Sequence, residues 1–130
     1  MNTKHHTSLK IAKQLAEAGI VIESEFVWVC DPKLENWHTV HKLKMKKGKW
    51  PDCFPIHAPI ATELLERLPA KIERFGKDCT LAMDKTDYVE YKYSAGYDDE
   101  ENWPIMFELA ETLPNALALL LIRLTKDRLI

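Results

Sequence analysis

The run FVWVC, Phe26 to Cys30, is apolar at every position, and it constrains the fold more than any other stretch of the chain. A strand with one wet face alternates apolar and polar residues, whereas a strand apolar on both faces must be covered from both sides. Phe26, Trp28 and Cys30 fall on one face and Val27 and Val29 on the other, before Asp31-Pro32 turns the chain. This strand therefore needs packed layers around it.

The remaining periodicities supply candidates for those layers. Ser8 can cap a helix carrying Leu9, Ile11, Ala12, Leu15 and Ala16, with Gly19 at its end. Trp37, Thr39, His41, Leu43 and Met45 alternate with His38, Val40, Lys42 and Lys44, which predicts a strand paired to the first. APIATELLERLP predicts a second helix with Ile60, Leu64, Leu65 and Leu68 on one face, ended by Pro69. KIERF, CTLAMD and DYVEYKYS read as a meander, with turns at Gly76-Lys77-Asp78 and from Asp84 to Asp87. AGYDDEENWP reads as an acidic loop, and IMFELAE fits strand extension or helix equally. Thr112 can cap a last helix with Pro114 in its first turn and Leu117, Leu120, Leu121 and Leu124 on its buried stripe.

The expected fold is α+β, an antiparallel-dominated sheet of about four or five strands with three helices packed on it; a three-layer α-β-α sandwich would cover the first strand. Residues 1–130 form one domain in this reading, with 1–7 a flexible N-terminus. The 18 basic and 20 acidic residues give a net charge of −2, so no overall field attracts DNA or an anionic membrane. The longest apolar run, Ala116 to Ile122, is too short to span a bilayer, and the first residues contain no apolar signal core. Cys30, Cys53 and Cys79 are odd in number and lack CxxC spacing, which points to reduced thiols. A cytoplasmic protein is expected, without membrane contact.

Four blocks in order, SLKIAKQLAEAGI running into SEFVWV, then APIATELLERLP, YVEYKY and TLPNALALLLIRL, resemble small uncharacterised proteins of tailed bacteriophages and prophages. In those chains a helix and an aromatic strand lead, after a hairpin, to a proline-entered helix, a strand and a final helix. They are similar in layout to phage α-β-α sandwich domains. The resemblance covers most of the chain and implies a phage or mobile-element origin. It brings no catalytic or ligand residues with it.

His38, His41, Cys53 and His57 are zinc-ligand types, but strand positions three apart face opposite ways, and Cys53-x3-His57 is not a standard knuckle. No metal or cofactor is therefore expected. Cys53 near His57 lacks an orienting third group, Asp98 to Glu101 are consecutive carboxylates that repel one another, and no phosphate-binding glycine loop occurs. Lys42, Lys44, Lys46, Lys47 and Lys49 lie between Trp37 and Trp50, a basic hairpin with aromatic platforms that would suit nucleic acid. The bland alternative is a lysine-rich face that keeps a strand edge soluble. Tyr97, Trp103 and the acidic loop could form a contact patch instead, although Trp103 beside Pro104 would equally cap the core. The expectation is a non-enzymatic accessory protein that contacts a phage or host protein or a second copy of itself. Nucleic-acid binding through the lysine hairpin is the runner-up.

Overall fold

The computed structural model describes residues 5–31, 36–41, 56–87 and 90–130. Among them the chain runs α1 (Leu9–Glu17), β1 (Phe26–Asp31), β2 (Asn36–His41), β3 (Ile56–His57), α2 (Ala61–Arg67), β4 (Lys71–Arg74), β5 (Lys77–Lys85), β6 (Tyr93–Asp98), β7 (Pro104–Ala110) and α3 (Leu113–Lys126). The class is α+β, as expected. The strands form two antiparallel sheets, in the orders β2-β1-β3 and β4-β5-β6-β7.

The helix boundaries follow the predicted caps. The Ser8 hydroxyl accepts from Ile11 N, and Gly19 takes a φ of +76° after α1. At α2 the Glu63 carboxylate reaches back to accept from Ile60 N at 2.9 Å, and the chain turns extended at Leu68, before Pro69. Thr112 accepts from Asn115 N at the start of α3. Leu117, Leu120, Leu121 and Leu124 are buried as predicted, and Ala116, Ala118 and Ile122 with them. The burial is broad because α3 packs on β6 and β7 and also meets α1 and α2.

The main core lies between α3 and the four-stranded sheet, which contributes Ile72, Cys79, Ala95, Tyr97 and Met106. Helix α1 adds Ile11 and Leu15 to this core and turns Ala12 the other way, onto Trp28 and Ala58 in a second, smaller core. That second core explains how one face of β1 is covered. Val27 and Val29, on its other face, are also buried.

Three local expectations are corrected and one open alternative is resolved. His6 and Thr7, assigned to a flexible N-terminus, are buried: His6 bridges Ile60, Thr7 N donates to Pro59 O, and Trp28 Nε1 donates to Thr7 O at 3.0 Å. Of the strand expected over DYVEYKYS, Tyr88 and Val89 lie outside the described residues; β6 begins at Tyr93 and continues through Ala95, Gly96 and Tyr97, where the sequence predicts a loop. Gly96 belongs in a strand because a Cβ there would lie 2.1 Å from Met106 O and 2.7 Å from the Phe107 Cα. The β4–β5 turn is Phe75-Gly76 rather than Gly76-Lys77-Asp78, and β5 runs on to Lys85. IMFELAE proves to be strand, part of β7. No described helix is long and apolar enough to cross a membrane.

Candidate interaction surface

Lys42, Lys44, Lys46, Lys47, Lys49, Trp50 and Cys53 lie outside the described residues. Trp37, the other aromatic of that set, is half-buried beside the smaller core, and the Lys13 amine stands 5.1 Å from its ring centroid. The β1–β2 register pairs His38 with Val29 and His41 with Phe26, so positions 38 and 41 belong to opposite faces. Among the described residues no three His, Cys, Asp or Glu side chains converge as a metal site would need.

Ser24, His57 and Glu63 do converge, and they are the residue types of a hydrolytic triad. Their hydrogen bonds run differently. His57 Nδ1 accepts from the Ser24 backbone N at 3.2 Å, while the Ser24 hydroxyl lies 2.7 Å from Glu63 Oε1 and 3.1 Å from Ala58 O. Glu63 also accepts from Ile60 N and Glu25 N. The histidine is thus tied to the backbone amide and not to the nucleophile candidate, which is itself buried. The three residues pin the 20–25 segment to the start of α2.

At one end of the four-stranded sheet the side chains are arranged differently. Thr80 pairs with Asp98, so the turn leading into β5 and the loop leaving β6 stand side by side. The first turn is Phe75-Gly76, with φ of +54° and +72°, as a two-residue hairpin turn with both central residues left-handed requires. Asparagine or glycine is the ordinary first residue of such a turn; a phenylalanine there is conformationally costly. Phe75 is nonetheless 77% exposed, with Arg74 stacked on it, whose guanidinium is 5.1 Å from the ring and 2.9 Å from Asp127.

The second loop is organised by Asp99. Its Oδ1 accepts from Trp103 N and Glu101 N, both at 2.9 Å, and its Oδ2 lies 3.4 Å from Lys77. The bond from Trp103 N, with those from Glu101 and Lys77, holds the Asp99 carboxyl below the usual carboxylate range against the opposing effect of its burial. Asp98 is shifted the other way, up, by burial and then by repulsion from Asp84 and Asp99. Asn102 closes the loop with a φ of +64°, and Trp103 emerges 67% exposed. Between the two loops is a cleft of about 220 Å³ lined by Gly76, Lys77, Asp78, Asp99, Glu100 and Glu101.

Two neighbouring turns therefore present one aromatic each beside a cleft with four carboxylates and one lysine. Trp103 and the acidic loop stand where a contact patch was expected. Tyr97 does not: its ring is fully buried and its hydroxyl donates to Pro69 O at 2.6 Å. Phe75 was missed, having been read as the end of a strand; the signal was the Phe-Gly pair between two strand patterns, a two-residue turn with an apolar first position. No protein-family model, no curated protein and no solved structure matches this chain.

Proposed function

We propose that the protein is a non-enzymatic accessory protein of phage or prophage type. It acts by protein–protein contact, offering the Phe75/Trp103 end of its sheet to a basic segment of a phage or host protein. The observation that carries this reading is the exposure of Phe75 and Trp103 on two neighbouring turns beside an acidic cleft. Large aromatics held in place lose little entropy on binding, and carboxylates beside them favour cationic partners. The bonding of Ser24 to Glu63 rather than to His57 supports a non-catalytic role for that cluster. A cytoplasmic setting belongs to the same reading, supported by three cysteines without a pairing pattern.

The test is fluorescence anisotropy with labelled peptides of matched length, one rich in Lys and Arg and one rich in Asp and Glu. Salt-sensitive binding of the basic peptide alone is expected, weakened at least about tenfold in the Phe75→Ser, Trp103→Ser double variant. Equal binding of both peptides, or none at low salt, rejects the reading.

Nucleic-acid binding through Lys42, Lys44, Lys46, Lys47 and Lys49 is the second reading, supported by five lysines between Trp37 and Trp50. It ranks lower because Trp37 is half-buried with Lys13 already over its ring, which leaves it a poor platform for a base. Labelled single- and double-stranded DNA and RNA decide it: this reading expects binding that falls steeply with salt and is lost when Lys44, Lys46 and Lys47 are changed together to Glu.

A further inference from the structure

β7 is an outer strand of the four-stranded sheet, and no described strand pairs with its free side. Its sequence, PIMFELA, has no lysine, and its proline is the first residue. Lysine and an internal proline, two usual protections of a strand edge, are thus missing, and the described cover is the Arg123 side chain alone. Phe107 faces away from the helices, over Gly96, and is 49% exposed. Its carbonyl points off the edge, because Arg123 Nη1 reaches it from α3 at 3.3 Å. The amide of Phe107 points the same way, and alternation directs the backbone of Leu109 outward too.

We infer that β7 is a self-association edge, pairing antiparallel with β7 of a second copy about a two-fold axis through Phe107. This contact is independent of the basic-partner reading, since it uses the side of the sheet and not its hairpin end. The sequence is self-complementary in that register. Phe107 meets Phe107 across the axis and exchanges both backbone hydrogen bonds with it, so the two exposed rings meet on the outer face, while Ile105, packed on the main core, falls opposite Leu109 in the ladder. On the helix side Arg123, already 3.5 Å from its own Glu108, overhangs the edge onto which the axis brings Glu108 of the second copy. A foreign extended peptide would supply the backbone bonds but not this charge match. A strand pair alone buries less than the roughly 800 Å² per partner of a standard interface, so the dimer is expected to be weak and concentration-dependent.

Sedimentation equilibrium up to millimolar protein, read together with amide exchange of Phe107 and Leu109, tests the inference. The expected result is a monomer–dimer equilibrium in which those two amides become protected as concentration rises. Phe107→Pro removes an outward-facing N–H that β6 does not use, and an edge strand tolerates proline there; it should weaken the dimer at least about tenfold. Phe107→Lys is the gentler variant should the proline disturb folding, and it should dissociate the dimer likewise. A monomer at all concentrations, or a dimer whose Phe107 and Leu109 amides exchange freely, overturns the proposal.

Discussion

The hydroxyl of Tyr97, at the end of a fully buried ring in β6, donates to the carbonyl of Pro69 at 2.6 Å. This one bond ties the central region of the sheet to the segment leaving α2. Tyr97→Phe removes the donor and strands a carbonyl, and should cost about 1–2 kcal/mol in urea unfolding without altering the fold. Burial also pushes the Tyr97 phenol up to about 12. Since the folded value lies above the ordinary value of 10.0, its neutral form stabilises the fold fully below that value. The contribution is lost as pH rises from there through about 12. Wild type should lose stability across that window more steeply than Tyr97→Phe, measured by denaturation at stepped alkaline pH.

Phe75→Asn separates folding from contact. Asparagine accepts the left-handed conformation that phenylalanine occupies at a cost, so the variant should be more stable by roughly 0.5–1 kcal/mol even after losing the Arg74 stacking. The same variant should bind the basic peptide less well. A loss of stability would mean that the ring serves the fold.

Gly96→Ala should destabilise by about 1–3 kcal/mol, because the added methyl would have to displace backbone atoms of Met106 and Phe107. Thermal unfolding of the single variant checks this.

Asp99 should set the acid limit of its loop. Its carboxyl titrates below the ordinary 3.8, so its contribution is fully present above that value and is lost as pH falls through the folded value. The indole resonance of Trp103 should therefore stay sharp until the pH drops below the usual carboxylate range. Asp99→Asn keeps an oxygen for the Glu101 and Trp103 amides and should preserve the loop at neutral pH, whereas Asp99→Ala should broaden that resonance.

Ser24 should not react with fluorophosphonate probes of serine hydrolases, since its hydroxyl lacks a histidine partner. Glu63→Ala should cost about 1–3 kcal/mol by removing the acceptor of three hydrogen bonds, a stability effect read by chemical denaturation.

The legible parts of the fold were those where local chemistry decides. Ser8, Gly19, Thr112 and Pro114 marked helix ends because caps act within one turn of the chain. The second half of β6 is not legible because Gly96 is disfavoured in strands by propensity and is required here by the close approach of Met106 and Phe107 across the ladder. Likewise nothing near His6 announces its burial, which depends on Trp28 and on the segment before α2. Of the proposed contact surface, Trp103 and the acidic run are legible from composition. Phe75 was not, since its importance lies in a backbone angle.

Helix α1 has nine residues and lines two hydrophobic interiors at once, through Ile11 and Leu15 on one side and Ala12 on the other. Melting it would open a wall of both. Helix α1 is therefore a joint between the two sheets, and amides of β1 should exchange at the rate set by its opening, while those in the middle of β6 wait for global unfolding.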